Sequence, residues 1–264
     1  MDNNNRFSIF EAVKNAYIFV GEEWLYLLKA GLLPMAVQIA VELFIQFQRP
    51  KEISFIEVYL WELPAIAFSG WFLFLESRLL LLGERLDRLP KDPDYLSDRK
   101  QAMKLSVLVT VLFYMGITVA QTLLEVTGEL SQSSTNLSLQ AGSLMIIGGL
   151  VWGVRFGIVP TLAAVRHPIR PVLRQTKGMM FSLRLVVVGL ACFLPVTFLL
   201  GVITAPFIPD WPDLTTMAKL TEMQQFGLIV ADAPSSLIFK ALFCASVAYA
   251  LKQILGSRRK GQII

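Results

Sequence analysis

Apolar residues along this chain gather in six long blocks, at 25–47, 60–82, 103–126, 140–165, 183–207 and 235–255, with little polar chain between them. Crossing the hydrocarbon of a bilayer takes about 20 mainly apolar residues per helix, so each block is long enough for one span. The pattern predicts an all-α, polytopic membrane protein with six transmembrane helices. Ahead of the first block, Phe10, Val13, Tyr17 and Val20 recur at helical spacing, with Arg6, Glu11, Lys14 and Asn15 mainly on the other side. That spacing predicts an N-terminal interfacial helix. The chain therefore divides into an N-terminal cytoplasmic amphipathic segment (1–24), a six-helix transmembrane domain (25–256) and a basic cytoplasmic tail (257–264). Between the last two blocks, Leu214, Met217, Leu220 and Met223 suggest a short surface helix, with a plain loop as the alternative.

Composition agrees with this pattern: 55% of residues are hydrophobic, 17% are charged and the mean hydropathy is +0.58. The start, MDNNNRFSIF, lacks the basic region and short apolar core of a secretory signal, so no cleavage is expected. Lys and Arg near span ends stay on the cytoplasmic side. With both termini inside, every one of the 24 basic residues except Arg49, Lys51, Lys219 and Lys240 falls in the cytoplasmic half. This predicts that the N- and C-termini are both cytoplasmic. The one-sided charge suits anionic lipid headgroups or an acidic membrane-protein partner, a second copy of the chain included. The basic residues sit in short loops tied to spans, which argues against nucleic-acid binding.

The fourth block carries the most informative pattern. Gly149, Gly153, Gly157 and Thr161 form a stripe of small residues for close helix packing. Arg155 lies on the opposite face, and Arg166, eleven residues on, returns to nearly the same angle. In the second block Glu62, Ser69, Glu76 and Gly83 recur every seven residues as a polar stripe. Measured from the span centres, Glu76 sits about 7 Å and Arg155 about 3 Å towards the cytoplasm, so the two are expected to pair or to share a polar cavity. Charges at such depth cost at least ~2.5 kcal/mol and normally face the bundle interior or water. Arg155 is then either a helix-to-helix clamp through Glu76 or the site of an anionic ligand. Pro160 should kink the helix and leave the Phe156 carbonyl without its donor. Arg166, Arg170, Arg174 and Lys177 continue as a basic surface for anion or lipid contact.

Enzyme signatures are missing. His167 stands alone in a basic loop, and neither a Walker loop, nor HExxH, nor a dinucleotide fingerprint occurs. Cys192 and Cys244 lack metal-ligand spacing and fall inside blocks, where cysteine packs as a small apolar residue. No catalytic residue, metal or cofactor is expected.

Two segments, FSIFEAVKNAYIFVGEEWLYLL and RFGIVPTLAAVRHPIRPVLRQTKGMM, carry a family resemblance. The chain resembles the YciC-like bacterial integral membrane proteins and the membrane domain attached to some glycerophosphodiester phosphodiesterases. The resemblance implies six spans, cytoplasmic termini and an envelope role without a phosphodiesterase catalytic domain. The leading expectation is a non-catalytic membrane scaffold or accessory subunit. The alternative is a transporter or lipid-handling protein with a polar cavity between the second and fourth spans.

Overall fold

A computed structural model describes residues 7–48, 55–132, 147–149, 151–204 and 222–259 of the chain. Among the described residues the fold is all-helical: α1 (Ile9–Glu22), α2 (Trp24–Gln48), α3 (Phe55–Leu82), α4 (Pro93–Gln132), α5 (Val159–Ala164), α6 (Ile169–Gln175), α7 (Met179–Thr204) and α8 (Glu222–Arg259). Six helical segments are long and apolar enough to cross a membrane: Trp24–Phe47, Glu57–Leu82, Pro93–Ala120, Ile147–Ala164, Met179–Ile203 and Gln225–Leu255. All six expected blocks are there. The Met223 end of the expected surface helix belongs instead to the long α8, while Leu214, Met217 and Leu220 lie outside the described residues, as does the tail beyond Arg259.

The second span, α3, is the hub. It packs against α2, α4, α5 and α8, and 61% of its apolar window is buried, against 17% for the first, third and fifth spans. Hydrogen bonds fix its register on α8: Ser69 meets Lys240, Ser77 meets Cys244, and Lys252 reaches the Leu80 carbonyl. Numbers rise together in both helices, so α3 and α8 run parallel.

Glycine sets the closest helix approaches, but at different positions from those expected. A Cβ on Gly70 would stand 3.1 Å from the Thr110 Cβ and 3.2 Å from the Val107 Cα, so α3 and α4 touch nearly backbone to backbone. A Cβ on Gly31 would overlap the Leu237 side chain, which brings α2 equally close to α8. Gly149 and Gly153, by contrast, have nothing within 4 Å of the same position, and Gly157 makes only ordinary contacts with Phe113 and Phe243. Of the expected packing stripe, only Thr161 is deeply buried.

The N-terminal helix is fastened to the bundle. Ser8 caps α1 through the Glu11 amide, and its own amide donates to Gln253 Oε1 at 2.8 Å. Arg184 donates to the Phe7 carbonyl, and Tyr17 donates to that of Ala191. Ala12 and Ala16 are fully buried, Ala16 in a cluster with Leu80, Ala245 and Ala248. Small residues let α1 lie close to α8, while Phe10 and Ile18 stay exposed.

These packing differences are measurable in purified protein. Gly70→Val should destabilise the bundle by about 1–3 kcal/mol through overpacking. Gly153→Ala should be neutral or stabilising by up to about 1 kcal/mol, since alanine is the better helix former. Thermal unfolding of the two variants in detergent, ranked the other way, would contradict this assignment of the packing face.

Candidate functional site

Arg155 and Glu76 are both buried, at 7% and 1% exposure, but they do not pair. Both Glu76 carboxyl oxygens, and Nε and Nη1 of Arg155, lack hydrogen-bond partners. The Arg155 guanidinium lies instead 3.6 Å from the centroid of the Trp152 ring and 4.9 Å from that of Phe156. The backbone explains the difference. Residues Val154–Ile158 form a 3₁₀ helix, in which residues three apart eclipse, so Arg155 comes over Trp152 and not onto the face that α-helical spacing assigns it. The ring faces supply the negative potential that the carboxylate was expected to supply.

The same tightening resolves the Pro160 expectation. The proline starts α5, and the Phe156 carbonyl accepts the Val159 N–H instead of staying open. The Pro160 carbonyl accepts from Ser106 Oγ at 3.1 Å, tying this turn to α4. Gly149 and Gly153 border an apolar groove of 690 Å³ shared with Leu112, Phe113 and Gly116 of α4.

The basic column also breaks. The fourth span ends at Ala164, and Arg166, at φ +54°, turns away to pair with Asp98 and Gln101. Arg170, Arg174 and Lys177 remain exposed on and just after α6.

The polar cavity lies elsewhere, among the first, second, third and sixth spans. It measures 280 Å³ and is lined by Gln38 and Glu42 of α2, Glu62 and Ser69 of α3, Tyr114 of α4 and Lys240 of α8, among others. Lys240 stands at the centre of the 31-residue sixth span, and Ser69 at the centre of the 26-residue second. The ammonium donates to Gln38 Oε1 and Ser69 Oγ, each at 3.1 Å. Gln38 in turn donates to Glu42 Oε1 at 2.8 Å. Among the described residues no carboxylate comes within 4 Å of Lys240 Nζ, although Glu42, Glu62 and Asp232 are close enough for their charges to act on it. The arrangement is a midplane cation held by neutral oxygens beside carboxylates that are not consumed by it.

Below this cavity the α3–α8 seam stays polar. Cys244, one turn after Lys240, has its Sγ 3.4 Å from Ser77 Oγ, and the second thiol, Cys192, is 3.4 Å from Ser246 Oγ. Both cysteines are free and buried, as packing residues should be. From Glu62 to Leu80, where Lys252 closes the seam, the polar positions cover about 27 Å of helix, close to the full hydrocarbon thickness.

A second cluster locks the basic end. Gly83, at φ +69°, ends α3 in the left-handed conformation that glycine adopts without strain, and this turn carries Glu84 back over the helix end. Arg78 Nε and Arg99 Nε each donate to Glu84 at 2.5 Å, Tyr95 donates to the same carboxylate, and Arg78 Nη1 donates to the Ala164 carbonyl at 2.9 Å. Helices α3, α4 and α5 are thereby joined through one carboxylate. Burial alone would raise the Glu84 pKa, but donation from Tyr95, Arg99 and Arg78 outweighs it and holds the carboxyl below its ordinary 4.5.

Lys240, Glu84, Tyr95 and Arg99 were not among the expected site residues. Lys240 did carry a signal, as a basic residue inside a span and against the charge asymmetry of the rest. The Glu84 cluster carried none beyond the loop's charge density.

Because its folded pKa is depressed, Glu84 stabilises the protein fully above about pH 4.5, and that contribution fades as pH falls through the folded value. Glu84→Ala leaves two buried guanidiniums without their counter-ion and should cost about 3 kcal/mol at neutral pH. Its deficit against wild type in thermal unfolding should shrink below about pH 4.5 as the wild-type carboxyl becomes protonated. A deficit that is absent at pH 7, or that grows on acidification, would contradict the cluster's role.

Comparison with protein-family models, with curated proteins and with solved structures found no match to this chain.

Proposed function

We propose that the chain is a non-catalytic, multi-pass transport protein of the bacterial inner membrane, with both termini cytoplasmic, and that its cavity binds a small monovalent cation. The observation that carries this reading is Lys240 at the membrane midplane, hydrogen-bonded to Gln38 and Ser69 in a cavity that also holds Glu42 and Glu62. Ionisable groups at membrane depth are costly and mark ion and substrate pathways. Glu42 and Glu62 outnumber the single lysine lining the cavity, so it favours positive charge. Apart from Lys240, its polar side chains offer oxygen: two carboxylates, an amide, two serine hydroxyls and a tyrosine hydroxyl. Oxygen ligands suit an alkali-metal ion or a primary ammonium group, and the Lys240 ammonium already shows how such a group sits on them. The cavity is slightly smaller than the roughly 300–1,000 Å³ of ordinary small-molecule pockets, which favours a small occupant.

The leading expectation was a scaffold or accessory subunit, which a dry Glu76–Arg155 contact would have favoured; that contact does not form. Its lipid-facing element persists within the transport reading: Arg170, Arg174 and Lys177 lie exposed at the basic end, where anionic headgroups would meet them.

Binding of Na⁺ and of methylammonium to the protein in lipid nanodiscs, followed by titration calorimetry, tests the reading. Wild type should bind at least one of the two. Glu42→Gln and Glu62→Gln should each weaken binding about tenfold or more, as expected for loss of a charged partner. Lys240→Met should strengthen it by removing the resident competitor. Absence of binding to wild type, or equal binding by all variants, would contradict the proposal.

A further inference from the structure

Beyond the cavity, the structure holds a carboxyl group that the cation site does not use. Glu76 is 1% exposed, and neither of its oxygens has a hydrogen-bond partner. The neighbouring titratable group is the Cys244 thiol of α8, close enough to act on the carboxyl, and among the described residues no charged side chain of α2, α4, α5 or α8 acts on it. The nearest arginine in sequence, Arg78, has its guanidinium committed to Glu84, Tyr95 and the Ala164 carbonyl. An ionised carboxylate in such surroundings is heavily penalised, whereas the protonated acid is tolerated. Glu76 nevertheless lies on the same α3 stripe as Ser69 and Glu62, two turns from the serine that holds Lys240.

We propose that Glu76 is a proton-binding site coupled to the cation cavity, so that a bound cation weakens proton binding at Glu76 and cation exit restores it. The inference rests on the transport reading and specifies its coupling ion. Each exchange breaks one O–H bond on Glu76 and passes that proton to water, while one monovalent cation takes up the compensating positive charge in the cavity. Two turns of helix put the sites about 10 Å apart. At that separation, and with an effective dielectric near 20, a cation in the cavity favours ionised Glu76 by about tenfold. Beside Glu76, on the side away from the cavity, Ser77 and Cys244 touch each other across the helix pair.

Dicyclohexylcarbodiimide, an apolar reagent that modifies protonated carboxyls in hydrocarbon surroundings, tests the site on the unmutated, full-length protein in liposomes. Mass spectrometry should find an adduct on Glu76, and saturating Na⁺ or methylammonium should reduce its formation. In the same liposomes, inward cation gradients should release protons that a trapped pH dye reports. Glu76→Gln should abolish that release while keeping cation binding by calorimetry. Proton release that persists in Glu76→Gln, or labelling of Glu76 that the bound cation does not change, overturns the coupling and leaves the cation site standing. A wild-type protein that binds neither cation overturns the transport reading, and the coupling with it. Should Glu76→Gln fail to fold, the carbodiimide result on wild type still decides the matter.

Discussion

Hydrocarbon offers a polar side chain no partner, so every such group inside a span must find one within the protein or do without. In this chain that constraint falls on the parallel contact between α3 and α8. The seven-residue spacing of Glu62, Ser69 and Glu76 keeps the polar face of α3 turned to one neighbour, and α8 answers with Lys240 and Cys244 at four-residue spacing. The register of the two helices places a lysine opposite a serine at the membrane midplane. α2 completes the site, brought close by Gly31 against Leu237 so that Gln38 can reach the same ammonium.

The protein hosts its buried cations in three ways. Arg78 and Arg99 share the Glu84 carboxylate and bind α3 and α4 together, with a further bond to the end of α5. Arg155 stacks on Trp152 and Phe156 beside a 3₁₀ turn, which suits a fixed packing role. Lys240 rests on two neutral oxygens while carboxylates stand near without closing on it. Of these, Lys240 lines the polar cavity. Neither the Glu84 cluster nor Arg155 lines that cavity.

The six spans, their order and the polar face of α3 were legible in the sequence, because each depends on local periodicity and composition. The partner of that face was not. Gln38, Ser69 and Lys240 come from three helices far apart in the chain, and no spacing rule joins them. The Glu76–Arg155 pairing failed because α-helical angles were carried through Val154–Ile158, where the helix tightens to three residues per turn. The Gly149–Gly153 stripe failed for a different reason. A run of small residues permits close approach without requiring it, and the demand for close approach arose at Gly70 and Gly31. Lys240 was visible as an exception to the charge asymmetry, and such an exception inside a span points towards a site.

The transport reading requires water and small cations to reach the middle of the bundle at Lys240. Lys240→Cys, in a protein with Cys192 and Cys244 replaced by serine, places a thiol at that position. In liposomes, the charged primary-ammonium reagent 2-aminoethyl methanethiosulfonate should modify it, and Na⁺ or methylammonium should slow the reaction. If the thiol resists the charged reagent and reacts only with the lipophilic N-ethylmaleimide, the midplane cavity is dry and the account is contradicted.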